Sequence, residues 1–157
     1  MAKMVKNYSG VRAAPPSKQI QEVQVQDYMT SRNQLVTFSP DQPIGKVVSI
    51  MLSKRLDGGP VLDSEGKLIG IISEGDCLKQ VIKGKYSNVP SHPGIVADHM
   101  VEKVLTIEAD VNILEAAQRF LAFKVRRFPV MKDGELIGQV SQRDVLRAVE
   151  SLEHETW

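Results

Sequence analysis

The chain has 157 residues, of which 42% are hydrophobic and 25% charged, and its formal net charge is +1. These values are typical of a compact soluble protein, and the near-zero charge does not favour binding to nucleic acid or to an anionic membrane. The one cysteine, Cys77, cannot form an internal disulfide, and no apolar run approaches the about 20 residues of a transmembrane helix. Without the apolar block of a signal peptide, a cytoplasmic location is expected.

The N-terminal segment, residues 1–22, contains few large apolar side chains and carries the run Arg-Ala-Ala-Pro-Pro-Ser at 12–17. This composition predicts an extended or mobile arm. The arm is either a fraying terminus or a segment that docks on a partner subunit, and its composition favours the first.

A strand–helix unit follows from Val23. The apolar run at 35–38 predicts a strand, and Asp41 with Pro43 close behind is typical of a helix start. Apolar residues then recur at helical spacing, which predicts an amphipathic helix with one buried face. They are Ile44, Val47, Val48, Met51 and Leu52.

Two short strands and another helix come next. The segment 59–63 predicts a strand with a proline near its start, where proline is tolerated, and 64–66 predicts a hairpin turn. The apolar run 68–72 predicts the following strand, and Asp76 begins a segment with helical spacing. Its apolar residues are Cys77, Leu78, Val81 and Ile82.

The whole pattern recurs after a linker at 83–95. The stretch Leu-Ile-Gly-Ile-Ile-Ser-Glu-Gly-Asp at 68–76 returns as Leu-Ile-Gly-Gln-Val-Ser-Gln-Arg-Asp at 136–144, a spacing of 68 residues (144 − 76). A repeat period sets the architecture. We therefore predict two repeats, 23–82 and 96–150, each strand, helix, strand, strand, helix, and then a tail at 151–157. The first helix returns with apolar positions Ile113, Ala116, Ala117, Phe120 and Leu121.

Each copy has Ser-x-x-Asp at its strand-to-helix junction, as Ser73 with Asp76 and Ser141 with Asp144. A capping box explains this pattern by itself. Two details favour a ligand: a capping box prefers Glu or Gln at its fourth position, and the glycine three residues before each Ser leaves room inside a strand. A hydroxyl at a helix N-terminus suits a phosphate, and a carboxylate can accept hydrogen bonds from both hydroxyls of a ribose.

Together these features resemble the CBS domain, named after cystathionine β-synthase, in the tandem pair called a Bateman module. The matching features are an Asp-x-Met opening at 27–29 and 98–100, a Thr on the first strand, a Pro-Val strand, and Gly-x-x-Ser-x-x-Asp. They cover about residues 23–150. The resemblance implies an α/β (α+β) fold with two small three-stranded sheets related by a pseudo-twofold axis, with two clefts between them. It also implies a homodimer and a regulatory function.

The resemblance further implies that the clefts bind an adenosine compound such as AMP, ADP, ATP or S-adenosylmethionine. The matching positions in the first repeat are Thr37, Pro60, Val61, Ser73 and Asp76. Those in the second repeat are Thr106, Arg126, Arg127, Phe128, Pro129, Val130, Ser141 and Asp144. The two arginines resemble the basic pair that reaches phosphates in the nucleotide-sensing gamma subunit of the AMP-activated kinase. In the first repeat Asp57-Gly58 takes their place, so the two clefts are expected to be unequal.

Each of these assignments has a structural alternative. Guanidinium groups bind phosphate bidentately, but Arg126 and Arg127 also fit a surface salt bridge. The Phe128 ring suits either a purine or the core. The threonines are also good strand formers.

The residues do not form a catalytic or metal-binding set. The three histidines are scattered, neither G-x-S-x-G nor a P-loop occurs, and Cys77 lies on an apolar helix face where a buried, inert thiol is expected. We therefore expect no enzyme and no metal. The favoured function is a regulatory module that senses an adenine nucleotide and signals through its dimer to an unknown effector protein. The alternatives are a structural dimerisation module with empty clefts, S-adenosylmethionine or NAD as the ligand, and, least favoured, an enzyme.

Overall fold

The computed structural model describes residues 19–87 and 94–155. The first repeat contains helix α1 (Val25–Tyr28), strand β1 (Thr30–Ser31), helix α2 (Ile44–Lys54), strands β2 (Gly58–Leu62) and β3 (Leu68–Ser73), and helix α3 (Glu74–Ser87). The second repeat contains strand β4 (Ile107–Glu108), helix α4 (Ile113–Phe123), strands β5 (Arg127–Lys132) and β6 (Glu135–Ser141), and helix α5 (Gln142–Glu155). Short 3-10 turns lie at Ile20–Glu22, Arg32–Gln34 and Val96–Asp98.

Each repeat contributes an antiparallel hairpin to a small sheet. Strands β2 and β3 form the first hairpin, and Phe38 adds one parallel bridge to Val61 at its edge. Strands β5 and β6 form the second, within a sheet of order β1-β6-β5-β4 in which β4 runs parallel to β5. The predicted mixed α/β class with small sheets is confirmed. The strand predicted at 35–38 shrinks to the bridge at Phe38, whose N–H and carbonyl form backbone hydrogen bonds with Pro60 and Leu62.

The lead-in segment of each repeat starts the first long helix of the other repeat. The Ile113 N–H at the beginning of α4 donates to the Val23 carbonyl at 2.9 Å, and the Ile44 N–H of α2 donates to the Gly94 carbonyl at 3.2 Å. The first N–H groups of a helix have no partner within the helix. Each repeat thus supplies a carbonyl acceptor for a helix N–H of the other repeat. This reciprocal contact, called the exchange below, satisfies donors that neither repeat satisfies alone.

The start of each helix differs in part from the sequence prediction. The residue before α2 is Pro43, which gives no side-chain cap, so Asp41 does not cap this helix. In the second repeat Asn112 caps α4, and its side chain accepts from the Glu115 N–H at 2.8 Å. The missing cap at α2 is consistent with its dependence on the Gly94 carbonyl.

The exchange continues along the strands and explains why glycine occupies positions 70 and 138. Thr30 and Ser31 pair with β6, while Val101 forms two backbone hydrogen bonds with Ile71, of 2.8 and 2.9 Å. A Cβ at Gly138 would lie 2.4 Å from the Thr30 oxygen, and one at Gly70 would lie 2.6 Å from the Met100 sulfur. The residue that lies close to each glycine therefore belongs to the other repeat. It does not support the ligand interpretation that the sequence suggested.

The apolar side chains form two cores, and each contains residues of both repeats. Val96 joins the first core, whose other members are Phe38, Ile44, Val47, Met51, Val61, Ile72 and Cys77. Val23 and Val25 join the second core, whose other members are Ile107, Ala109, Ile113, Ala116, Phe120, Phe128, Val130, Val140, Val145 and Ala148. Separating the repeats would thus open both cores.

Some apolar positions predicted to be buried face outward instead. Leu52 on α2 is 75% exposed and Leu121 on α4 is 79% exposed. Leu78 on α3 and Leu146 on α5 are exposed as well. Exposed leucines therefore occur at equivalent positions of the helices in both halves of the chain.

The helices extend beyond the boundaries suggested by the sequence. Helix α3 continues to Ser87, into the range expected to be linker, and α5 continues to Glu155, into the expected tail. Most of the predicted N-terminal arm and part of the linker lie outside the described residues. The described end of the arm, Ile20, packs against the second core.

The contact at Gly138 predicts a clear stability difference between two Gly→Ala variants. Gly138→Ala should lower the free energy of unfolding by about 1–3 kcal/mol, because the added methyl overpacks against Thr30 and Met29. Gly75→Ala should raise it by about 0.5–1 kcal/mol, because its Cβ would meet only the Ser73 oxygen at 3.7 Å, within a helix. Urea denaturation measures both. An unchanged urea midpoint for Gly138→Ala would contradict the close contact of Gly138 with Thr30 and Met29.

Candidate functional site

A cleft of about 560 Å³ lies between the two hairpins. One wall comes from the first repeat, where β2, β3 and the first turn of α3 meet, and the other comes from β5 and β6 of the second repeat. The lining residues are Asp57, Gly58, Gly59, Ile71, Ser73, Glu74, Gly75, Leu78, Arg126, Arg127 and Gln139. The cleft therefore combines a mostly apolar wall, the N-terminus of a long helix, and charged side chains.

Strand alternation explains which side chains of the hairpins reach the cleft. Gly70 and Ile72 are buried, so Ile71 between them points to the opposite face of β3, which is the cleft. Gln139 holds the same position in the second copy (139 − 71 = 68) and also lines the cleft. Our sequence-based selection missed both residues. Their alternation with buried neighbours was the signal that could have identified them.

The Ser-x-x-Asp motif forms the same compact cap in both repeats. The Asp76 Oδ2 accepts from the Ser73 N–H at 2.9 Å and from the Ser73 hydroxyl at 2.8 Å, and the Ser73 Oγ accepts from the Asp76 N–H at 3.2 Å. In the second repeat the corresponding distances are 2.8, 3.0 and 3.2 Å. The capping interpretation thus has direct geometric support. Aspartate fits because its short side chain reaches back to the Ser backbone.

The two capping carboxylates differ in their remaining oxygen. Asp144 is 6% exposed, and its Oδ1 accepts from Arg147. Asp76 is half-buried, and its Oδ1 has no hydrogen-bond donor among the described residues. The carboxylate of the first repeat is therefore the freer one for a ligand. Lys79 stands where the second repeat has Arg147 (147 − 68 = 79).

The arginine pair reaches the cleft from across the pseudo-twofold axis. Arg126 and Arg127 belong to the second repeat, yet they line the same cleft as Ser73 of the first. In the sequence of the first repeat Asp57-Gly58 stands in place of the arginine pair, so the first repeat lacks a cation at these positions. The packing supplies that cation from the second repeat.

Asp57 pairs with both arginines. Its Oδ2 accepts from the Arg127 guanidinium at 2.8 Å and lies 3.6 Å from an Arg126 nitrogen. The chain leaves α2 through Arg55, which has a left-handed conformation (φ 54°), and Asp57 follows just before β2. The salt-bridge alternative for the arginines is therefore realised inside the cleft, with a partner from the other repeat.

The structure places several other predicted ligand residues away from the cleft. Phe128 is 1% exposed and its ring packs on Phe120, with 4.7 Å between the ring centroids, so it belongs to the second core. Fully or almost fully buried as well are Pro60, Val61, Pro129 and Val130. Of the two threonines, Thr106 is exposed and Thr37 is half-buried, and neither lines the cleft.

Cys77 has the character expected of a structural thiol. It is 4% exposed and packs in the first core. Burial raises the pKa of the thiol, and the neighbouring Asp76 carboxylate raises that pKa further. Little thiolate therefore forms near neutral pH, which agrees with the predicted inert cysteine.

Within 19–87 and 94–155, His, Cys, Asp and Glu side chains do not gather into groups of three or more that could hold a metal ion. Over the same residues, none of the helices combines the length and apolar character needed to cross a membrane.

Comparison with known sequences gives a family and two groups of relatives. The sequence model of the CBS domain matches the chain twice, at residues 25–83 and 96–151. The chain is 32% identical over 130 residues to an inosine-5'-monophosphate dehydrogenase of Methanocaldococcus jannaschii, a match covering 82% of this chain and 24% of the dehydrogenase. It is 28% identical over 156 residues to the chloroplastic CBS domain-containing protein CBSX2 of Arabidopsis thaliana, covering 84% and 66%. The chain thus spans a quarter of the first relative's length and just under two thirds of the second's.

Solved structures give the same architecture. The crystal structure of CBSX2 in complex with AMP superposes with a TM-score of 0.71 at 28% identity, covering 83% of this chain and 98% of the other. A CBS domain-containing protein of Bacillus anthracis superposes with a TM-score of 0.73 over 84% of this chain and 96% of the other. Its identity of 17% supports the fold alone.

The cap geometry predicts how Asp144 contributes to stability. Asp144→Ala should lower the free energy of unfolding by about 1–2 kcal/mol, because two hydrogen bonds from Ser141 lose a charged acceptor. Arg147→Ala removes only the exposed partner of the same carboxylate and should cost about 0.5 kcal/mol or less. Chemical denaturation of both variants measures the difference. Equal effects would show that the cap itself contributes little.

Proposed function

Because this chain belongs to the CBS domain family and contains two such domains, we propose that it is a regulatory module that senses an adenosine nucleotide. The ligand would bind in the cleft between the two hairpins, and binding would change the conformation or stiffness of a dimer. The proposed ligand is AMP, ADP or ATP, and the chain would act by binding and not by catalysis. The observation that carries this proposal is the convergence of Arg126 and Arg127 on the N-terminal turn of α3 in one cleft.

The parts of the cleft match the parts of a nucleotide. Ile71 provides apolar contact for a base. The arginine pair beside the N-terminal turn of α3 suits a phosphate. Asp76 lies in the same turn without lining the cleft, and its Oδ1, which has no donor among the described residues, would be the partner of a ribose hydroxyl. The AMP complex of CBSX2, a relative at 28% identity, supports the choice of an adenosine ligand.

The signal would pass through the apolar outer face formed by the four long helices. Leu52 and Leu121 hold equivalent positions in the two repeats (121 − 52 = 69), as do Leu78 and Leu146 (146 − 78 = 68), and all four are exposed. A second copy presents the same pseudo-symmetric face, which suits the self-complementary contact of a twofold dimer. A bound nucleotide shifts the dimer only through its difference in affinity for two states.

We further propose that the signal passes to a separate effector protein. Cytoplasmic location stays a prediction, and the relative CBSX2 is a chloroplastic protein. S-adenosylmethionine or NAD as the ligand, or a purely structural dimer without one, are the alternatives that the binding experiment separates.

Nucleotide binding should depend on Arg127. A thermal-shift panel of AMP, ADP, ATP, NAD and S-adenosylmethionine, followed by calorimetry, tests this directly. A ligand at a hundredfold excess over its dissociation constant should add about 2.7 kcal/mol of stability. Arg127→Ala should weaken AMP binding tenfold or more, because a phosphate loses a fork of donors.

The matched control is Lys132→Ala, which removes an exposed cation at the far end of the same strand. It should leave AMP binding unchanged. If none of the five compounds shifts the melt at millimolar concentration, the nucleotide proposal fails and a structural module is favoured.

The outer apolar face predicts a dimer that charge should disrupt. Sedimentation analysis of the wild-type chain should give about twice the mass of one chain. The double variant Leu52→Glu/Leu121→Glu should sediment as a monomer, because it would bury two carboxylates against apolar side chains. Gln34→Glu, an exposed position in the 3-10 turn Arg32–Gln34 and outside the four helices, should stay dimeric. A monomeric wild-type chain would contradict this prediction.

A further inference from the structure

We propose that the Asp57 carboxylate acts as a built-in competitor for ligand phosphate at the Arg126–Arg127 pair and so sets the charge selectivity of the cleft. This inference rests on the proposed nucleotide function and names a regulator of that same site. It assigns a role to a residue that the sequence identified only as a replacement for an arginine.

The geometry places Asp57 where a phosphate would bind. Its Oδ2 is 2.8 Å from the Arg127 Nη2 and 3.6 Å from the Arg126 Nη1, so one oxygen faces both guanidinium groups. Carboxylate and phosphate oxygens use the same guanidinium donors. A phosphate that makes close contact with Arg127 therefore has to displace Asp57 or share the arginine with it.

The pseudo-symmetry explains why one substitution changes the whole cleft. Asp57 occupies the position of Arg126 in the other repeat (126 − 57 = 69), and the two positions lie next to each other across the axis. An arginine at 57 would add positive charge to the arginine pair, whereas aspartate neutralises part of it. With Glu74 also in the lining, the cleft holds two carboxylates and two guanidinium groups.

The exposed fractions of Asp57, Arg126 and Arg127 show which of the two contacts a phosphate would mainly replace. The Asp57 and Arg127 side chains are 28% and 34% exposed, so their contact is partly shielded from water. The Arg126 side chain is 79% exposed, so its attraction to Asp57 is well screened by solvent. Displacement would thus break mainly the Asp57–Arg127 contact, and Asp57 has water within reach once it is released.

The test measures how removal of the Asp57 charge changes binding of three probes by calorimetry at one fixed ionic strength. The probes are adenosine, AMP and inorganic pyrophosphate, and the variant is Asp57→Asn, which keeps the shape and removes the charge. AMP and pyrophosphate should each bind at least fivefold more tightly to Asp57→Asn than to wild type, while adenosine affinity should change less than twofold. In an Arg127→Ala background the same substitution should give less than half of that gain.

The control is Asp41→Asn, which removes one exposed carboxylate outside the cleft lining. It should not change binding of any probe, which excludes a general effect of net charge. Weaker or unchanged AMP and pyrophosphate binding in Asp57→Asn would overturn the inference and assign Asp57 a purely structural role in joining the repeats. If neither adenosine nor AMP binds any form of the protein, the nucleotide function fails, and the pyrophosphate comparison still decides the role of Asp57: a fivefold gain supports it and no gain overturns it.

Discussion

The two repeats depend on each other through a reciprocal exchange of backbone. The first free N–H of α4 donates to Val23, and that of α2 donates to Gly94, so each lead-in segment completes a helix of the opposite repeat. A buried N–H without a partner costs about 1–3 kcal/mol, and both cores also contain side chains from the exchanged segments. Neither repeat is therefore a closed unit by itself. The cleft lies where the two hairpins are brought together by this exchange, so its shape depends on it.

The Ser-x-x-Asp motif caps a helix in both repeats, and in the first repeat its serine also lies in the wall of the cleft. The cap holds the Ser73 hydroxyl at the beginning of α3, and the same residue lines the cleft. The motif therefore stabilises the helix and also positions its N-terminal turn beside the arginine pair. The difference between the repeats lies in the second carboxylate oxygen, which is bound to Arg147 at Asp144 and free of donors at Asp76 within the described residues. An identical sequence motif thus produces two different surfaces.

The charges of the cleft belong to both repeats and have to be considered together. Arg127 comes from one repeat and Asp57 from the other, yet the two form a single contact in the cleft. A carboxylate in place of an arginine in one repeat therefore also acts on the charges of the other repeat. Since Asp57 also follows α2, whose outer residue Leu52 is exposed, the cleft and the apolar outer face are connected by a few residues of backbone. We propose that this connection is the route by which a bound ligand influences association.

The sequence by itself determined the repeat, the order of the two long helices and the hairpin within each repeat, the α/β class and the family resemblance, because helical and strand periodicities and the Ser-x-x-Asp cap are local properties. Only the tertiary structure decided which surface each side chain faces. Phe128 packs on Phe120 and not in the cleft, while Leu52 follows the helical apolar pattern but lies outside the core. It also decided that Arg127 lines the same cleft as Ser73 of the first repeat. These outcomes depend on how one repeat packs against the other, and periodicity within a segment carries no information about the partner across the pseudo-twofold axis.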